Sequence, residues 1–203
     1  MITQEVLDEF AIITRRGAEN AGSTLSKWLH RQVHIDVSTV ELIRLDLIPE
    51  EAVDDTDATI TLVSRVKGKL PGNVAVQLAY SDAKALVTCL GGNLPPGDHA
   101  NSIGEMERSM LQETANVLFS SLMNSLAGHL GLSAVPYAPS VLVDLGTSAW
   151  ATLLLESAEE ADEAVVVTAR FVCIGSGPKI RLVFIPAPEA LAVIRRGINH
   201  DQR

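Results

Sequence analysis

Ser109, Glu113 and Asn116 stand at i, i+4 and i+7. On a helix that spacing projects all three side chains from one face, about one turn apart. They bring a hydroxyl, a carboxylate and a carboxamide, the last able to donate and accept hydrogen bonds without titrating. Such a row is either a solvated face or a docking and catalytic row, and the spacing alone leaves both open. Other chemistry is scarce. No Ser-His-Asp or Cys-His arrangement stands out. His30 and His34 are four apart, but His34 opens a predicted strand and no carboxylate or thiol joins them at ligand spacing, so no metal site is expected. Residues 175–178 (GSGP) read as a turn, because the phosphate-cradling GxGxxG and GK[ST] patterns are absent.

The element that must position the row is residues 105–128, which read as one long helix. Met110, Val117, Leu118, Leu122, Leu126 and Leu130 recur at helical steps and predict its buried stripe. Residues 7–31 carry a similar pattern, interrupted by Gly17 and Gly22, which suggests a bend or a very close helix contact. Between these helices, 33–37 and 40–47 alternate as strand, and 59–66 and 73–80 predict a hairpin closed by 67–72. Ser81 and Asp82 offer a cap for a short helix over 83–90, ended by Gly91 and Gly92. Beyond the Pro/Gly-rich connector 93–101, Val141–Leu142–Val143 reads as strand. Residues 149–157 and 163–174 read as a second hairpin, 179–185 as a further strand and 188–197 as a closing helix. The acidic stretches 50–57 and 156–163 read as solvated connections.

The order helix, strands, short helix thus occurs twice. A shift of 101 positions aligns Leu25 with Leu126, Leu29 with Leu130 and Val40 with Val141. The expected architecture is α/β (α+β): a mainly antiparallel sheet packed against two long helices. It forms a single domain, 1–203, of two pseudo-repeats, about 1–92 and 102–198.

Composition narrows the class. Of the 203 residues 47% are apolar, enough for a compact aliphatic core. A net charge of −9 argues against a nucleic-acid backbone or an anionic membrane as the main partner. The first residues do not read as a secretory leader, and no uncharged apolar run is long enough to span a bilayer, so the chain reads as cytoplasmic. Cys89 and Cys173, each inside an apolar run, are expected as buried reduced thiols.

Ser109-x3-Glu113-x2-Asn116, followed after twenty-two residues by Pro139, has the form Asp/Ser-x3-Glu-x2-Asn-x22-Pro. This resembles the active-site signature of the CheC/CheX/FliY phosphatases of chemotaxis, closest to CheC. The likeness extends to the first helix, where Leu7-Asp8, Gly17-Ala18-Glu19-Asn20-Ala21 and Leu25-Ser26 resemble the corresponding CheC sequence. CheC proteins commonly carry the signature twice. Here the first copy is eroded: counted from Asp8, Ile12 holds the Glu position, Arg15 the Asn position and Ser38 the Pro position. Ile12 cannot make a carboxylate contact, and a guanidinium cannot accept a hydrogen bond from water.

The resemblance implies hydrolysis of the aspartyl phosphate of a CheY-type response regulator in two-component signalling, at one site on the second long helix. Asn116 would orient the attacking water, Glu113 would pair with the regulator's lysine, and Ser109 and Pro139 would support them. The protein would need no cofactor of its own, and Mg2+ would sit on the regulator. CheD is a further partner that the resemblance suggests. The rival expectation is a non-catalytic regulator-binding or CheD-binding adaptor, or a flagellar-switch-like module such as the FliM middle domain.

Overall fold

In a computed structural model of the chain, residues 4–44, 58–92, 103–145, 163–172 and 177–200 are described. Helix α1 (Gln4–Leu29) runs into β1 (His34–Arg44). The Ser26 hydroxyl ties this joint by donating its one proton to the Gly22 carbonyl (2.7 Å) and accepting from the Val33 N–H (2.9 Å). Next come β2 (Ala58–Gly68), β3 (Gly72–Ala79) and α2 (Tyr80–Cys89). Helix α3 (Glu105–His129) follows, then β4 (Ala134–Pro136), β5 (Ser140–Leu145), β6 (Glu163–Val172), β7 (Lys179–Pro186) and α4 (Pro188–His200).

Among the described residues the seven strands make one antiparallel sheet, ordered β1-β6-β7-β3-β2, with β4 and β5 both on the far edge of β2. The order is the same read outward from either side of the β3–β7 pair, where Val76 faces Leu182. One side continues through β6 to β1, the other through β2 to β5. Each edge strand therefore pairs with a strand from the other half of the chain.

Alternation decides which face of the sheet meets the helices. Ile60, Leu62, Val66, Val74, Val76, Leu78, Val167 and Phe171 join Phe10, Ile13, Leu25, Leu118, Phe119, Leu122 and Leu126 in the main core. The intervening residues Val63, Ala75, Val166, Val183 and Ile185 form a second cluster on the opposite face.

The two long helices run antiparallel across the sheet, with Glu9 beside His129 (3.5 Å between Oε1 and Nε2) and Gly17 beside Leu122. Gly17 makes their close approach possible: a Cβ there would stand 3.1 Å from the Leu122 Cα and 3.3 Å from the Ser121 carbonyl oxygen. At Gly17 the close helix contact is the alternative adopted; Gly22 instead abuts the Val33 carbonyl oxygen, 3.0 Å from where a Cβ would stand. Gly68 acts differently. Its φ of +111° is poorly accessible to other residues, and a Cβ would collide with the Ser133 carbonyl oxygen where β2 meets the entry to β4.

Several local expectations are revised. The alternating runs 33–37 and 40–47 do continue as one strand, His34–Arg44, with an irregularity between Val37 and Thr39; residues 45–47 lie outside the described residues. Helix α2 begins at Tyr80, with Ala79 at its cap, so Ser81 and Asp82 lie inside its first turn. β6 has both edges occupied, by β1 and β7, and so is not one arm of a hairpin with the residues before it. The stretch 149–157 lies outside the described residues. The buried surface of α3 is also broader than one stripe. Leu111, Thr114, Ala115, Phe119, Met123 and Ala127 are buried with Leu118, Leu122 and Leu126, whereas Met110, Val117 and Leu130 are only partly covered. The cause is that α3 packs against both α1 and the sheet. Cys89, finally, is disulfide-bonded rather than a reduced thiol; Cys173 lies outside the described residues.

Candidate functional site

Helix α3 starts without a side-chain cap, on Gly104 in extended conformation, with Glu105 and Glu107 in its first turn, where the helix dipole favours negative charge. Opposite its buried arc lie Ser109 and Glu113, both exposed, and Asn116, half-buried. Three residues of helix separate Glu113 from Asn116 by about 4.5 Å along the axis. A carboxylate and a carboxamide thus stand side by side at the surface.

Pro139 is buried beneath this helix, immediately before β5. The Gln112 amide donates to its carbonyl oxygen (Nε2 to O, 2.9 Å), and the Arg108 guanidinium reaches the Val141 carbonyl oxygen at 3.4 Å. These contacts fasten the N-terminal half of α3 to the sheet edge. Neither Gln112 nor Arg108 was singled out by the sequence, because their partners are about thirty residues away and no local spacing announces them.

The backbone around Pro139 is irregular. Val66 pairs with Pro136 and Val63 with Ser140, so three residues, 137–139, oppose two, 64–65. The bulge is pinned by the Tyr137 N–H on the Arg65 carbonyl (2.9 Å) and by the Ser64 hydroxyl on the Tyr137 carbonyl (2.7 Å).

The counterparts on α1 are placed alike. Asp8 and Arg15 are exposed, Ile12 is 45% exposed, and Asp8 accepts a hydrogen bond from Gln4 (2.9 Å). Ser38 is exposed and unpaired in the β1–β6 ladder, which slips by one residue at that point. The two faces belong to opposite helices, and the structure does not bring them together into one site.

A groove of about 490 Å³ runs between α1 and β1, lined by Glu19, Ser23, Ser26, Lys27, Gln32 and His34 among others; none of the α3 row lines it. Among the described residues no three His, Cys, Asp or Glu side chains are grouped to hold a metal ion. No helix among them is long and apolar enough to cross a membrane.

No family model matches the chain. Its structure is similar to that of FliY from Thermotoga maritima, with a TM-score of 0.74 at 20% identity over all of both chains. It is similar to the FliM middle domain from H. pylori, with a TM-score of 0.62 at 14% identity over 97% of this chain and 99% of that one. A chain of the CheX-CheY-BeF3-Mg2+ complex from Borrelia burgdorferi matches with a TM-score of 0.53 at 12% identity, over 84% of this chain and 96% of that one. At these identities the likeness is one of fold. The chain has the fold of the CheC/CheX/FliY group, which the FliM middle domain shares.

Proposed function

We propose that the protein is a phosphatase acting on the aspartyl phosphate of a CheY-type response regulator, with its site on the outer face of α3. The observation that carries this reading is the pair of exposed Glu113 and half-buried Asn116, one turn apart on a helix whose Gln112 grips buried Pro139. The fold supports it, since one chain of similar fold comes from a complex of CheX with CheY, BeF3 and Mg2+.

An acyl phosphate is already labile, and the regulator supplies the Mg2+ and lysine that surround its phosphoryl group. What remains is to hold a water in line. A carboxamide does this by orientation, donating and accepting hydrogen bonds without changing its own protonation. Asn116 takes that role. Glu113 pairs with the regulator's lysine and fixes the register of docking. Ser109 lines the same face nearer the helix start, and Pro139 sets the backbone on which Gln112 anchors the helix. Asp8, Ile12, Arg15 and Ser38 carry no catalysis, because Ile12 and Arg15 stand at the positions that match the carboxylate of Glu113 and the water-orienting amide of Asn116. We read the symmetric strand order as one domain, 1–203, of two repeats, about 1–92 and 102–198.

The test is phosphate loss from a phosphorylated CheY-type regulator, followed with and without the protein. Faster decay that disappears in Glu113→Ala/Asn116→Ala is expected. Decay unchanged by the wild-type protein sinks the reading.

A second reading is a non-catalytic module that binds a regulator or CheD, or acts within a flagellar switch. The similarity to FliM middle domains and the apolar residue at Ile12 favour it. Binding to phosphorylated regulator without accelerated decay would select it.

A further inference from the structure

At the β4 end of the sheet two apolar side chains are exposed together, Val135 at 50% and Tyr137 at 53%. Lys67 is the register partner of Val135, and Arg65 lies beside Tyr137 through their backbone hydrogen bond. Their neighbours Val66 and Ala134 are buried in the main core, so by alternation Arg65, Lys67, Val135 and Tyr137 share the face turned away from α1 and α3. The Lys67 ammonium stands 5.0 Å from the centre of the Tyr137 ring, which holds the charge over an apolar surface. Lys69, also exposed, continues the patch.

Charge makes this patch unlike the rest of the chain. Asp and Glu outnumber Lys and Arg by 25 to 16, yet residues 64–73 and 133–140 hold three cations and no acid. We infer that this face docks an acidic segment of a partner protein, one whose carboxylates meet Lys67, Lys69 and Arg65 while apolar residues between them cover Val135 and Tyr137. A net charge of −9 opposes approach of an extended polyanion such as a nucleic acid or an anionic bilayer. A short segment confined to the patch escapes most of that repulsion, because salt screens charges beyond about 10 Å at 0.1 M. Docking is through side chains. In the β4 ladder residues 133, 135 and 137 direct their backbone groups to β2, so Ala134 and Pro136 face the open edge, and Pro136 has no N–H to offer an added strand.

The inference stands apart from the phosphatase reading and is tested without phosphorylated regulator. A fluorescein-labelled peptide of alternating Glu and Val is titrated with the full chain at about 0.1 M salt, where the rest of the surface is screened, and followed by fluorescence anisotropy. Saturable binding is expected, weakened at least about tenfold in Lys67→Glu/Lys69→Glu and several-fold in Tyr137→Ser, while Lys27→Glu on α1 leaves it unchanged. Thermal melts confirm that each variant is folded, and Lys67→Ala provides a milder variant, expected to weaken binding by less. Equal binding by the wild type and the charge-reversed variant overturns the inference, as does the absence of binding. Binding to phosphatidylserine vesicles in place of the peptide overturns it in favour of a lipid surface.

Discussion

The outer faces of α1 and α3 occupy matching positions in a symmetric sheet and differ almost entirely in polar chemistry. Both helices bury their inner faces in the same core, and both lie over a strand that slips by one residue. On α3 the slip encloses buried Pro139, held by Gln112. On α1 the position 101 residues earlier than Gln112 is Ala11, whose methyl group can donate nothing, and the residue matching Pro139 is exposed Ser38. Where α3 presents Glu113 and Asn116, α1 presents Ile12 and Arg15. Both regions share the helix, the crossing and the slipped strand, because all three close the core. Exposed polar groups and their tether contribute little to that core, so they can be lost without losing the fold. Fold symmetry and site symmetry are separable.

The sharpest break is Glu113→Ala/Asn116→Ala, which should lower the acceleration of regulator dephosphorylation by about 100-fold or more while leaving the melting temperature near that of the wild type. Next in size is Gly17→Val. Its branched side chain would force the two helices apart and cost about 1–3 kcal/mol of stability, measured by urea unfolding. Gln112→Leu removes one hydrogen bond to Pro139, worth about 1 kcal/mol. It should lower activity roughly fivefold by that energy through poorer positioning, showing in kcat more than in KM. Arg15→Ala should change neither activity nor stability measurably; a drop in dephosphorylation rate would mean that the first face takes part in the chemistry.

The parts of the fold that could be read from the sequence are those specified by neighbouring residues. The β2–β3 hairpin follows from two alternating runs around Lys67 to Gly72, and Thr59 does face Ala79. The helical repeat around Leu118, Leu122 and Leu126 specified α3. What periodicity missed is set by distant partners. The partial exposure of Met110 and Val117, and the burial of Phe119 and Met123, depend on where α1 and the sheet press on α3. The pairing of β6 with β1 and β7 required knowing that the halves interleave. In the candidate site, spacing placed Ser109, Glu113 and Asn116 along one side of a helix. The Gln112–Pro139 hydrogen bond joins elements that no local pattern links, and the disulfide at Cys89 was invisible for the same reason.

The interleaved sheet also dictates a timetable. As the chain is synthesised, Ile35 in β1 must wait for Phe171 in β6, and Val76 in β3 for Leu182 in β7. The β2–β3 hairpin can form early, since its strands are adjacent in sequence. The edge of β1 that pairs with β6, and the core beneath it, stay incomplete until most of the protein has emerged. Contacts of such long sequence separation slow folding, and they leave apolar strand exposed in the interim. Newly made protein should therefore depend on chaperones most strongly just before β6 and β7 arrive.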